Sequence, residues 1–369
     1  MFKNLSIVTI SLFVIFTSCS NYPSRNDKTG ECRIGMNFTL SGNAASWGIE
    51  MKRGIDLAID FYNDTCRRNP IKLIYEDNQF SSRQAVSITK KFIDVDDIDL
   101  IISGYTPIIK ATEDIINAHN IPLLATLSSA GGLTENRPWV FRDFILESNY
   151  MPLIADYAFN DAGYRKGTSL VINDDFGLDA KMFFSDVFEE FGGSMFSGEV
   201  FDVSDMDHRT KINKILSENP DFVVVVGRGS AMINACRQIK DVNPDMPILS
   251  TVSINNKNIW KGLGKSGNGI VFAEIAVDRN NQEYVKANLM CKEIYGYPLN
   301  WVNIYGYTIG KYLSGILYKH GKNKDSIKSA LDNLNVSSIR GQLIMNSERE
   351  VVTPLLVYKH ENGINMPVN

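Results

Sequence analysis

Arg33-Ile34-Gly35-Met36-Asn37-Phe38 is a short apolar strand pattern, and the residues after it decide the fold. Ser46–Tyr62 repeats its apolar residues (Ile49, Ile55, Leu57, Ala58, Phe61) at helical spacing, and Ile71–Tyr75 is apolar again. The alternation continues: Ser82–Ile93 reads as a helix, Leu100–Ser103 as a strand, Ile108–His119 as a helix and Pro122–Leu127 as a strand. Repeated strand-helix-strand units demand a parallel sheet with helices on both faces.

After Phe141–Ser148 the rhythm restarts. Helix Asn149–Ala162, strand Ser169–Ile172, helix Leu178–Phe191, strand Ser197–Asp202, helix Arg209–Ser217 and strand Asp221–Val226 form a second doubly wound unit. Helix Ala231–Ile239 and strands Pro247–Ser250 and Gly269–Ala273 complete it. Two long helices follow, Gln282–Tyr295 and Val302–Lys319, and then a terminal pair of strands near Gln342–Asn346 and Leu355–Lys359. The expected fold class is α/β, with two doubly wound parallel-sheet lobes that share this remainder. Ligands of such sheets sit at the carboxyl ends of the strands, so two facing sheets make a cleft lined by strand-to-helix loops.

Those loops are rich in small hydroxyl residues and Gly: Thr39-Leu40-Ser41-Gly42, Gly104-Tyr105-Thr106 and Thr126-Leu127-Ser128-Ser129-Ala130-Gly131-Gly132. Each precedes a helical pattern, where free N–H groups and short hydroxyls bind an anionic group with help from the helix dipole. Helix capping alone is the other reading of any single loop; three in one half favour a ligand.

Catalytic constellations are missing from the sequence. Asp174-Asp175 has no partner His, Ser128 and Ser129 lack a G-x-S-x-G elbow, and Gly227-Arg228-Gly229-Ser230-Ala231-Met232 lacks the third Gly of a dinucleotide fingerprint. No enzyme activity and no cofactor are expected. The net charge of −4, with Lys and Arg scattered along the chain, does not suit a nucleic-acid backbone.

The amino terminus places the protein in the cell. Met1-Phe2-Lys3-Asn4 precedes an apolar run from Leu5 to Phe16, too short to span a membrane at about 20 residues per crossing, and then Thr17-Ser18-Cys19. The Cys after two small residues resembles the lipobox of bacterial lipoproteins, with Phe16 where that pattern usually has Leu. Residues 1–18 are therefore expected to be a signal peptide, Cys19 the lipidated mature terminus and residues 19–30 a polar tether. An ordinary secretory signal with an incidental Cys is the alternative. No second apolar segment has spanning length, so the lipid is the one membrane attachment on offer.

Four further Cys, Cys32, Cys66, Cys236 and Cys291, would face an oxidising compartment. A helix returning antiparallel to its strand brings Cys32 and Cys66 to one edge of the sheet, so either they pair as a disulfide or both remain free thiols. No C-x-x-C or Cys/His cluster suggests a metal site.

Ile34-Gly35, Leu40-Ser41-Gly42, Trp47-Gly48 and Gly54-x-x-Leu57-Ala58-Ile59 resemble the opening of the type I periplasmic binding proteins of the leucine/isoleucine/valine group. Glu76-Asp77-Asn78 with Gln84-Ala85-Val86, Asp174-Asp175-Phe176-Gly177, Gly341-Gln342-Leu343-Ile344-Met345-Asn346 and Tyr358-x-x-x-x-Gly363 extend the likeness over residues 33–363. The resemblance implies a two-lobed clamp with a three-stranded hinge that binds a small molecule and delivers it to an ABC permease in the inner membrane. Lobe one would be 31–146 plus 278–340, and lobe two 147–277 plus 341–369. It implies that Thr106, Ser128 and Ser129 hold a ligand's carboxylate and amine, with the aromatic residues Trp47 and Phe176 closing from either side. Ser41 and Tyr105 belong to the same loops.

Two departures from the family pattern bear on the ligand. The acidic residue that neutralises an ammonium falls at Val252 or among Ser250, Thr251 and Ser253, none of them acidic, and burying an unmatched ammonium costs several kcal/mol. The second-lobe Tyr falls near Arg228, whose fork suits a carboxylate if it faces the cleft and is idle if it lies along the lobe surface. Together these favour an acidic or amine-poor solute, with an amino acid held by other groups still open. The expected function is an extracytoplasmic, lipid-anchored solute receptor facing the periplasm or exterior. A sensor that signals to a membrane receptor and a secreted hydrolase are the rivals.

Overall fold

A computed structural model describes residues 30–42, 44–66 and 68–368. The signal peptide, Cys19 and nearly all of the tether lie outside the described residues.

The first sheet is built from β1 (Cys32–Phe38), α1 (Ala45–Thr65), β2 (Ile71–Asp77), α2 (Ser82–Asp94), β3 (Leu100–Gly104), α3 (Thr106–Ala118), β4 (Leu123–Thr126) and β5 (Val140–Arg142). All five strands are parallel in the order β2-β1-β3-β4-β5. Side chains alternate across it as the pleat requires. Ile34, Met36, Leu100, Ile102 and Leu124 belong to the core under one face, while Ile101, Leu123 and Val140 belong to a separate core under the other. Strands with both faces covered read as continuous apolar runs, which is why they were visible in the sequence.

The second sheet follows α4 (Glu147–Asp156) and repeats the topology. It comprises β6 (Lys166–Ile172), α5 (Asp175–Glu190), β7 (Ser194–Met195), β8 (Glu199–Phe201), α6 (Arg209–Leu216), β9 (Phe222–Val226), α7 (Gly229–Val242), β10 (Ile248–Ser250), α8 (Lys257–Leu263) and β11 (Val271–Ile275). The chain returns to the first half through α9 (Gln282–Tyr295), α10 (Trp301–His320) and α11 (Lys324–Asp332). Short antiparallel strands β12 (Asn335–Ser338), β13 (Gly341–Met345) and β14 (Val351–Val352) form a small third sheet, and β15 (Leu355–Glu361) and β16 (Ile364–Pro367) extend the second sheet antiparallel beyond β11. The carboxyl-terminal region therefore holds five strands where the sequence suggested two. β12, Asn-Val-Ser-Ser, is half solvated and carries almost no apolar signal.

Helices α1 and α10 pack closely because both are notched. A Cβ at Gly54 would stand 2.2 Å from the Asn303 carbonyl oxygen, and one at Gly306 would stand 2.3 Å from that of Met51. Only glycine allows this approach. It lets α10, encoded near the end of the chain, complete the first lobe.

The chain passes between the two large sheets three times: after β5, after β11 and between β14 and β15. Asp143 from the first passage receives both guanidinium nitrogens of Arg340, at 2.9 and 2.6 Å, and the Tyr312 hydroxyl at 3.1 Å. Their side chains are 1 and 0% exposed. The second passage is tied through its backbone to the third, Ala276 N–H to the Pro354 carbonyl at 2.9 Å, and to the β12–β13 turn, Asp278 N–H to the Ile339 carbonyl at 3.3 Å.

The expected Cys32–Cys66 disulfide is corrected: both are free thiols. Tyr62 lies near both, its hydroxyl donating to the Arg68 carbonyl at 2.5 Å and interacting electrostatically with both sulfurs. Cys32 is buried with its thiol turned to the Gly30 carbonyl, and burial pushes its pKa up to about 11.

Replacing Asp143 by Asn leaves the Arg340 guanidinium buried without a counter-charge. Asp143→Asn should cost about 3–5 kcal/mol of unfolding free energy, measured as a lower urea midpoint. A loss below about 1 kcal/mol would mean that the hinge does not rest on this pair.

Candidate functional site

In the β2-β1-β3-β4-β5 order, the helices leaving β1 and β3 go to opposite faces, so a crevice opens at the carboxyl ends of these two strands. The second sheet has the same switch point between β6 and β9. Two backbone kinks aim the first lobe's hydroxyls. Tyr105 (φ 72°) and Leu127 (φ 50°) take the left-handed conformation that non-glycine residues avoid, each directly before a hydroxyl-bearing residue. The result brings Thr106 and Ser128 together, Oγ to Oγ, at 2.7 Å. Tyr105 is anchored by donating its hydroxyl to the Ala44 carbonyl at 2.6 Å and is capped edge-on by Phe80.

Ser41 serves its own loop. Burial works against the Asp77 carboxylate, but the Ser41 hydroxyl and the N–H groups of Leu40 and Gln79 outweigh it and hold that carboxyl below its usual range. Trp47 meets the edge of Trp301, with centroids 5.5 Å apart. The Trp301 indole N–H donates to the Asn255 carbonyl at 2.6 Å, joining the start of α10 to the loop after β10 in the other lobe.

Across the cleft, Arg228 lies over the Phe176 ring at 4.3 Å and pairs with Asp174 at 2.5 Å. Asp174 also caps α5 through the Gly177 N–H. Arg228 is therefore at the rim, with its side chain 46% exposed and its charge already matched. An ion pair this exposed contributes about 0–1 kcal/mol.

The buried centre of the site was not foreseen. Ser129 donates its hydroxyl to Glu147 at 2.5 Å, and Glu147, the first residue of α4, is 2% exposed. Burial pushes its carboxyl up to about 7; the Ser129 hydrogen bond and Arg142 oppose the rise, and Asp179 adds to it. One turn on, Tyr150 is fully buried with its hydroxyl unpartnered, and Glu147, Thr251 and Arg228 are its polar neighbours. The hydroxyls after β10 are spent internally: Thr251 on Ser253, and Ser253 on the Gly227 carbonyl. Glu274 at the end of β11 is a second buried carboxyl pushed up to about 7 by burial, against a hydrogen bond from Asn255. A Glu inside the apolar run Phe144-Ile145-Leu146-Glu147 was the one available hint in the sequence.

Among the described residues no three His, Cys, Asp or Glu side chains gather as a metal site. A recess of about 450 Å³ beside α10 and β12, lined by Tyr307, Lys311, Tyr312 and Ser337, lies away from the strand ends and holds none of these groups. The cleft offers aromatic walls, hydroxyls and two buried carboxyls without an ion-pair partner among the described residues: a surface for holding a small polar molecule.

A family model described as periplasmic binding protein matches residues 31–363. A Leu/Ile/Val-binding protein homologue of Brucella abortus is 24% identical over 132 residues, and the match spans 35% of each chain. Among solved structures, the branched-chain amino acid transporter substrate-binding protein of Streptococcus pneumoniae in complex with isoleucine is similar in fold, with a TM-score of 0.83 and 17% identity; 91% of this chain and 98% of that one are covered. A solute-binding protein of an ABC transporter from Rhodopseudomonas palustris in complex with 3,4-dihydroxybenzoic acid gives 0.79 and 22%, with 91 and 96% covered.

The raised Glu274 carboxyl has a consequence for stability. Its proton is held more tightly in the folded chain, so its contribution is complete below the unfolded value of 4.5 and is lost as pH rises to about 7. Glu274→Gln should leave the melting temperature of the ligand-free protein nearly unchanged at pH 4 and stabilise it at pH 8 by as much as about 3 kcal/mol. Calorimetric melts at the two pH values check this, and equal differences at both would contradict it.

Proposed function

The chain belongs to the periplasmic binding protein family, whose members are solute-binding proteins and not enzymes, and from that premise we propose that it is a lipid-anchored receptor that hands a small polar solute to an ABC permease. The observation that carries the solute-binding part is the interlobe cluster of Thr106, Ser128, Ser129, Glu147 and Tyr150. These are buried and half-buried polar groups from both lobes, one of them unpartnered. Trp47 and Phe176 form the walls. Residues 31–146 with 278–340 act as one jaw and residues 147–277 with 341–369 as the other. The same fold in other proteins holds isoleucine in one case and 3,4-dihydroxybenzoic acid in another, so a carboxylate-bearing solute is in keeping with it. Among the described residues no helix is long and apolar enough to cross a membrane. The lipid at Cys19 supplies the attachment in this reading.

A thermal-shift screen over amino acids, carboxylates and amides tests the receptor. A ligand at about 100 times its Kd should stabilise the fold by about 2.7 kcal/mol and change Trp47 fluorescence. Thr106→Ala should weaken that binding by about 1–3 kcal/mol, because a buried ligand group loses its hydroxyl partner; unchanged affinity removes the loop from the site. For the anchor, Cys19→Ser should release the protein from the membrane fraction or leave its signal uncleaved, and wild-type fractionation with wild-type mobility would contradict lipidation.

A further inference from the structure

Most of the charges around the cleft are already matched. Arg142 is buried against Glu350 and the Ala130 carbonyl. Arg228 is paired with Asp174. Lys110 on α3 is the cation that faces Asp179 on α5. Two buried carboxyls remain: Glu274, which Asn255 hydrogen-bonds, and Glu147, and among the described residues no cation lies within ion-pair distance of Glu147. A carboxylate has about four acceptor positions, and Glu147 uses one, for Ser129. Beside it stands the Tyr150 hydroxyl, fully buried and without a partner. Leaving either group unsatisfied is costly in a buried site, and a group that brings both positive charge and several N–H donors relieves both at once.

We infer that Glu147, with Tyr150 beside it, is the binding site for a primary ammonium group of the ligand. This rests on the reading of the cleft as a solute site and narrows it. An amine-bearing solute thus replaces the acidic or amine-poor one that the family pattern suggested. The residues at the family's usual acidic position are still not acidic. The counter-charge has moved to the start of α4, on the other side of the hinge passage from β5. Arg228 does not compete for this role, because its guanidinium is spent on Asp174 and lies at the rim.

The assignment gives binding a definite pH dependence. Glu147 must be ionised to match an ammonium, and burial holds its proton to about pH 7. Asp179 strengthens that hold, and Arg142 weakens it. Affinity for an amine therefore falls as pH drops below 7, approaching tenfold per unit. A ligand that instead accepted a proton from Glu147 would bind more tightly at low pH.

Titration calorimetry at pH 6 and pH 8 with three pairs, isoleucine and 3-methylpentanoate, phenylalanine and 3-phenylpropanoate, glutamate and glutarate, separates the cases. Wild-type protein should prefer an amine to its deaminated partner and bind it several-fold to tenfold more tightly at pH 8. Glu147→Gln should lose at least tenfold affinity for that amine together with the pH dependence, and Tyr150→Phe should lose affinity but keep the dependence. Ligand-free melting curves of both variants report whether they fold. Equal or tighter binding of the deaminated acids, or unchanged amine affinity in Glu147→Gln, overturns the inference and leaves solute binding standing. If none of the six binds wild-type protein, both readings fail.

Discussion

The ion pair between Asp143 and Arg340 is the constraint on which the molecule turns. Two fully buried charges gain from each other only when their geometry is good and their remaining hydrogen-bonding capacity is used. Here the geometry is good: the guanidinium fork engages both carboxylate oxygens, Tyr312 donates to one of them, and the Tyr305 ring lies 4.2 Å below the fork, while the Arg340 Nε is left without a partner. Removing either partner would strand a charge, so the first passage between the sheets is held in one register against the β12–β13 turn that carries Arg340. The ends of β5 and α4 follow from that register, and Glu147 stands on the second of them.

Around this fixed point the two sheets share the largest apolar core and keep two smaller ones to themselves. Each sheet has one face over its own apolar cluster, while the other faces share a core that runs through α4 and α10. The polar groups are concentrated where the strands end. There the chain accepts two left-handed non-glycine residues and two buried carboxyls with raised pKa. Strain and desolvation of this kind persist only when the surrounding fold over-determines them, and they gather where a ligand is to be met.

Much of this could be read from the residues alone. Strands buried on both faces are apolar throughout, the helices carry their own period, and the loops between them are marked by hydroxyls and glycines. The switch-point loops bearing Thr106 and Ser128 were legible for that reason. What could not be read depends on residues distant in sequence. Glu147 gains its character from Ser129 across the lobe boundary, and Arg228 loses its freedom to Asp174 at the start of a different helix. Cys32 and Cys66 remain free thiols, and both interact with Tyr62, a partner that no spacing rule reveals. β12 and β14 are too short and too solvated to carry a pattern.

The glycine notches of α1 and α10 also bear on how the chain comes to be folded. Helix α1 is made near the beginning of synthesis, but the surface it fits is carried by the last third of the chain. Until Gly306 arrives to receive Gly54, the first jaw lacks one covering layer and exposes apolar residues such as Met51 and Ile55. Contacts between such distant parts of a chain form slowly. The amino-terminal half therefore cannot finish folding as it emerges. It waits, open and vulnerable to aggregation, until nearly the whole polypeptide is present, and the order of events in assembling the receptor is set by two residues that have no side chain.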